Sequence, residues 1–237
     1  MALDLYVGPL SRYHAGDWKT VGERMAEAQG LTYQVVGPDG PLEEEEDSVP
    51  IEEIEEAVEQ WQQHLREVLI KAGEKGDLWV DKAEADYATD RPGWPGWTAL
   101  ILKYAHLLHP QFPEPAQVPL NDPLESDPAF VAASETPGLF QVLSICELWI
   151  PGGFSFLFPG ATLTGKKAMI SSLGLMRTAL DELCRLWGKD RTVLLTTTTD
   201  QPDSGTHFDE AALHGLVLFT RLTAAAEARG LPMILDY

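Results

Sequence analysis

The stretch FSFLFPGATLTGKK, residues 154–167, comes closest in this chain to a spelling with chemistry in it. Gly160, Gly165 and Lys166 fit the spacing G-x-x-x-x-G-K-[ST] of a phosphate-cradling loop, but Lys167 stands where the hydroxyl residue belongs. Such a loop works because successive backbone N–H groups and a helix N-terminus surround the anion, so the helix must begin at the second glycine. Here the start signals come later. Ser171 and Ser172 are good cap residues, and helical spacing of apolar residues opens at Leu173. The ammonium of Lys167 would also repel the Mg²⁺ that a Ser or Thr hydroxyl ligates. The spelling therefore reads as a turn. PMILDY, at the end of the chain, resembles an apolar strand delivering a metal-holding Asp236, a pattern that many ordinary strands share.

A second group is RYHAGDW, residues 12–18. Arg12, His14 and Asp17 have the chemistry of an acid–base site, with His14 and Asp17 within reach across a turn. The structural alternative is that Asp17 caps a helix while Tyr13 and Trp18 wedge that helix against a sheet. His106 and His109, and separately His207 and His214, offer pairs of imidazoles. A zinc site needs a third and fourth ligand, and no spacing supplies them. There is no G-x-S-x-G elbow, and neither cysteine has a nucleophile context. No metal and no cofactor is expected. Lys166, Lys167, Arg177, Arg185, Lys189 and Arg191 make the most basic stretch, suited to an acidic helix or a phosphate-bearing ligand. Trp94 and Trp97, around a Pro-Gly-rich loop, have the character of partner anchors.

The elements that must position these groups follow from periodicity. Alternation predicts a first strand over 3–7, closed by Gly8 and Pro9. A helix follows, capped by Asp17 and stopped by Gly30, and then a strand over 31–36. Ile51, Ile54, Val58, Trp61, Leu65 and Val68 form a single stripe on a strong helix that Gly73 ends, with Glu52, Glu53, Glu55, Glu56 and Glu59 mostly off the stripe. A short strand is expected over 77–81, a loop over 86–97, and an apolar helix from Trp97 to His109. Residues 110–138 carry seven prolines and read as a long strap or linker. A hairpin is expected from 140–150 and 154–158 around Pro151-Gly152-Gly153. A helix on Leu173, Met176, Leu180, Leu183 and Trp187 follows, then a strand over 193–199. A helix opened by Thr206 and Asp209 runs to about Arg229, and a last strand covers 233–235. The fold expected is α+β, a mixed β-sheet covered by amphipathic helices with a Pro-rich strap, in one domain over 1–237.

The formal charge of −20 argues against a nucleic-acid partner, because a polyanion needs a basic surface. No stretch approaches the roughly 18 apolar residues of a membrane span. Asp4 inside the opening apolar run argues against a signal peptide. Cys146 and Cys184 sit among apolar neighbours and read as buried thiols of a reducing compartment, which points to the cytoplasm.

The phrase LDLYVGPLSRYHAGDW, together with the closing GLPMILDY, resembles a set of bacterial proteins that open with L-D-x-Y-V-G…R-Y…G-D-W and are associated with immunity to secreted toxins. The match covers about sixteen residues at the start and a few at the end. It implies a non-catalytic binding protein that neutralises a toxic enzyme through an acidic surface, and it carries over no catalytic residue. Glu43, Glu44, Glu45, Glu46 and Asp47 form an acidic tip suited to a basic cleft. The alternative expectation is an enzyme acting on a small phosphorylated or nucleotide ligand through Arg12, His14, Asp17 or Lys166.

Overall fold

A computed structural model describes residues 3–33, 36–37, 40–41, 49–120, 122–203 and 205–237. Along the chain lie β1 (Asp4–Val7), α1 (Leu10–His14), α2 (Val21–Ala28), β2 (Val36–Gly37), β3 (Gly40–Pro41) and α3 (Ile51–Lys71). Next come β4 (Ala88–Asp90), α4 (Gly93–Leu108), a 3₁₀ turn at Leu124–Ser126, α5 (Pro128–Glu135), α6 (Phe140–Ser144) and β5 (Cys146–Ile150). The chain ends with β6 (Phe158–Ala161), β7 (Lys167–Ser172), α7 (Leu173–Trp187), α8 (Arg191–Leu194), α9 (Phe208–Arg229) and β8 (Met233–Asp236). The fold is α+β, with one six-stranded mixed sheet in the order β4-β1-β8-β5-β7-β6.

The two ends of the described chain meet in that sheet. β1 pairs antiparallel with β8, placing Asp4 opposite Asp236 and Val7 opposite Met233, and on its other side with β4. All four residues of β1 are buried. Asp4 is tolerated there because Arg91 grips both its oxygens, at 2.6 and 3.0 Å, and the backbone N–H of Val21 donates to it at 3.3 Å. A carboxylate taken out of water needs such pairing. β5 and β7 run parallel, and β6 pairs antiparallel with β7.

Helices α4, α7 and α9 contact one another, and α7 and α9 contact the strands, so they form a layer on the sheet. Its seam is the crossing of α4 and α9. A Cβ built on Gly215 would lie 2.4 Å from the carbonyl oxygen of Gly96, so only glycine allows the backbones this close. Ser172 caps α7 by accepting from the N–H of Leu175, and Gly188 in the left-handed region (φ 66°) ends it. The apolar stripe of α3 is as its spacing predicts: Ile54, Val58, Leu65 and Leu69 are buried, while Trp61 and Val68 pack partly buried against the core.

Several expected elements take another form, each for a local reason. Asp17 pairs with Arg12, and the cap of α2 is Thr20, in a reciprocal box with Glu23. Residues 31–33 are irregular, and 34–35 lie outside the described residues, as does the tip Glu43–Asp47. Residues 77–81 form no strand; the segment lies along α3, where Gln62 donates to the carbonyl of Trp79 at 3.2 Å. Within the expected loop, 88–90 is a strand, and Pro92-Gly93-Trp94-Pro95-Gly96 opens α4, where first-turn N–H groups have no helical partner and proline costs little.

The expected hairpin through Pro151-Gly152-Gly153 does not form. Residues 140–144 are helical, β5 pairs with β7 and β8, and the hairpin joins β6 to β7 instead. Residues 193–199 are not a strand, because Asp190 caps a helical turn and the hydroxyls of Thr196 and Thr197 bond the Val193 carbonyl. His207, not Thr206, caps α9. The proline-rich strap contains α5, which Asp127 caps and which buries Ala129, Phe130 and Ala133 against α4.

Candidate functional site

The outer face of α3 is acidic. Glu52, Glu55, Glu56 and Glu59 are exposed and line a groove of about 880 Å³ whose opposite wall is residues 78–84. Asp81 and Glu84 add two carboxylates, against Arg66 and Lys82. Among the described residues no cation pairs with Glu52, Glu55, Glu56 or Glu59; Glu56 accepts only from the amide of Gln60. Arg66 is engaged by the carbonyl of Gly76 at 3.3 Å and by Gln63. Val80 stands 72% exposed in the same wall, a bare apolar contact beside the carboxylates.

Asp81 fixes that wall to the rest of the fold. Its carboxylate accepts the backbone N–H groups of Leu10 (2.7 Å) and Ser11 (3.0 Å), the Ser11 hydroxyl, and the indole N–H of Trp79 (3.1 Å). It therefore caps α1 from seventy residues away. Sequence reasoning missed it, because cap signals are sought next to a helix and this one is distant. The one available signal was that Leu10 and Ser11 follow Pro9 with no cap of their own.

The residues of the alternative, enzymatic reading fall into two pairs: Arg12 with Asp17, and His14 in one cavity with Lys166. Arg12 binds Asp17 (3.2 Å to its carboxylate, 2.6 Å to its carbonyl), donates to the carbonyl of Ala85, and lies 4.7 Å over the ring of Tyr87. His14 makes no bond to Asp17. Tyr13 and Trp18 do wedge against the sheet, stacking with each other and meeting Tyr6 edge-on or tilted. His14 instead lines a cavity of about 160 Å³ together with Lys166, Trp61 and residues of β5 and β8. Burial lowers the His14 pKa below its ordinary value, outweighing the nearby Asp81 charge that raises it.

Lys166 lies in the turn between β6 and β7. Gly165 (φ 79°) and the bond from the Thr162 N–H to the Lys166 carbonyl close that turn, so a strand follows it rather than a helix. The Lys166 ammonium donates to Tyr237 Oη (3.2 Å), approaches Glu147 at 3.3 Å and lies 4.4 Å over the Tyr237 ring. The Tyr237 hydroxyl donates to Glu147 in turn. The Tyr237 bond and the Glu147 charge raise the Lys166 pKa. A phosphate loop needs a helix dipole behind its lysine, and here a strand follows Lys166, whose ammonium is already held by Tyr237 and Glu147. Asp236 accepts the hydroxyl of Tyr13. Of the other basic residues, Arg177 meets Glu227, Arg191 meets Asp181 and Glu227, and Lys189 lies over the ring of Trp187.

Trp94 and Trp97 meet edge-to-face at 5.8 Å in the first turn of α4, and Trp94 meets Tyr237 at 5.7 Å. They line a cavity of about 210 Å³ with Ile145 and Cys146. Two of the histidines serve structure: His106 meets Asp127 (3.2 Å), and His214 bridges Thr199 (2.9 Å) and the carbonyl of Arg91 (3.1 Å). Among the described residues no three metal-ligating side chains gather. Cys146 and Cys184 are buried free thiols. Burial pushes them up to about 12 and about 11, helped by Glu147 and Asp181 respectively.

No helix among the described residues is long and apolar enough to cross a membrane. No protein-family model matches the chain, and neither a curated protein nor a solved structure matches it.

Proposed function

We propose that this chain is a non-catalytic binding protein of the immunity type, which neutralises a toxic enzyme by receiving a basic segment of it in the groove between α3 and residues 78–84. The observation that carries this reading is the row of carboxylates on α3 that meets no cation among the described residues. Like charges held along one helix cost stability, a few tenths of a kcal/mol for each pair four residues apart. A partner's Lys and Arg side chains would relieve that repulsion on binding. Complementary charge of this kind raises the association rate and suppresses wrong partners more than it adds affinity. Val80 supplies an apolar contact for the carbon stems of those side chains. The cytoplasm, where the thiols stay reduced, is the compartment that fits. The charge of −20 weighs against nucleic acid as the partner.

The test uses Glu55→Lys with Glu59→Lys, two exposed positions clear of the first-turn acids that favour the helix dipole. Growth rescue against the product of the neighbouring gene is scored with wild type and variant. Association of that product with each is also measured across salt. The expected result is a loss of rescue and a fall of roughly 10–100-fold in association rate at low salt, with the difference shrinking as salt is raised. Equal rescue, or binding indifferent to salt and to both substitutions, would remove the groove from the account.

A further inference from the structure

The cavity under α1 has one polar group left over. Of the side chains that line it, Trp61 donates its indole N–H to the carbonyl of Ala161 at 2.7 Å. Tyr13 donates its hydroxyl to Asp236, and the hydroxyls of Thr162 and Thr164 bond each other at 3.0 Å. Glu147 and Lys166 are held together with Tyr237. His14 alone makes no hydrogen bond among the described residues, and its ring meets only the edge of Tyr13 at 5.0 Å. Around it the walls are apolar: Leu10, Leu148, Leu163, Ile234 and Leu235, with Trp61.

We propose that this cavity binds a small uncharged molecule of one ring bearing a hydroxyl, phenolic in chemical type, with the ring against the apolar walls and the hydroxyl on His14. Size sets the ring count. The cavity is about 160 Å³, and an apolar cavity of about 150 Å³ accepts benzene. The hydroxyl follows from the imidazole, whose charged form burial disfavours; a neutral imidazole has one N–H and one lone pair for a group that both donates and accepts. Charge is excluded by what is already paired. An anion would have to displace Glu147 from Lys166, and a cation would leave water for walls that offer it no free carboxylate. No residue lines both this cavity and the acidic groove, so substitutions confined to one lining test the two proposals separately.

Fluorine NMR on the full chain tests it, with 4-fluorophenol, fluorobenzene and 4-fluorobenzoate as probes. 4-Fluorophenol should bind more tightly than the other two. His14→Leu should weaken 4-fluorophenol by about tenfold, the value of one hydrogen bond, and leave fluorobenzene within about twofold. Leu163→Trp, a substitution on the partly exposed β6–β7 turn, should fill the cavity and abolish binding of both while the circular dichroism spectrum is retained. Absence of 4-fluorophenol binding to the wild type overturns the proposal. So does unchanged 4-fluorophenol affinity in His14→Leu, or tighter binding of 4-fluorobenzoate than of 4-fluorophenol.

Discussion

Replacing Asp81 by alanine should cost this protein far more than a partly buried carboxylate on an irregular segment suggests. The residue accepts two backbone N–H groups, a serine hydroxyl and an indole N–H. The groups it serves are buried: Leu10 is 3% exposed and Ser11 not at all. Each buried donor left without an acceptor costs about 1–3 kcal/mol, and bonds to a charged acceptor lie toward the strong end. Water entering the emptied position would relieve part of that loss, so the expected cost is about 3 kcal/mol. For a chain of this length the melting temperature should fall by about 6–12 °C. Asp81→Asn keeps one acceptor oxygen but points an NH₂ at donors, so it should lose about half as much. Urea unfolding read by tryptophan fluorescence and by far-ultraviolet circular dichroism gives the free energy, with coincidence of the two curves as the check on two-state behaviour. An alanine variant within about 0.5 kcal/mol of wild type would refute the claim that Asp81 caps α1.

Two further outcomes follow from the core. Gly215→Ala puts a methyl group 2.4 Å from the carbonyl oxygen of Gly96 and 3.0 Å from Cβ of Leu100, both on the facing helix. It should therefore cost about 2–3 kcal/mol by pushing α4 and α9 apart, and a melting curve matching wild type would contradict the close crossing. Cys146 and Cys184, with pKa values pushed up to about 12 and about 11, hold only about one part in ten thousand and one in a thousand as thiolate at pH 8. Both should resist a disulfide reagent in the native protein and react fully in guanidinium; labelling of either within minutes without denaturant would show the burial to be wrong.

The sequence was informative where a single local rule decides. The stripe on α3, the cap at Ser172 followed by the stripe of α7, and the buried terminal strands all obey spacing that involves near neighbours. It misled where one spelling allows two local structures and a competing contact decides between them. Asp17 has the spelling of a helix cap, yet Arg12 claims it and Thr20 caps instead. The run Val193-Leu-Leu-Thr-Thr-Thr-Thr has strand composition, yet Asp190 and the threonine hydroxyls turn it helical and then irregular. Residues 140–158 have the composition of a hairpin, but the partner of β6 is β7, which follows it in the chain, rather than β5 before it. At the candidate sites, the acids of α3 were legible as a polar face. The wall opposite them and the cavity around His14 were not, because both are made by segments that meet only in the folded chain.

The groove wall is bonded to α1, which lines the cavity, and that decides how each can be probed. Asp81 lines the groove and holds the first residues of α1; His14, its last residue, lines the cavity. A five-residue helix has too few internal bonds to persist alone, so its position depends on the Asp81 contacts and on its packing against α3. A substitution at Asp81 would therefore lower groove charge, unseat α1 and disturb His14 together, and loss of partner binding in that variant would say nothing about charge. Glu55 and Glu59 escape this confusion. Both are exposed on α3, neither bonds α1, and neither lines the cavity. Reversing their charge alters the electrostatic surface alone, so a phenol probe that still binds the doubly reversed chain while the basic partner no longer does would separate the two surfaces in one protein.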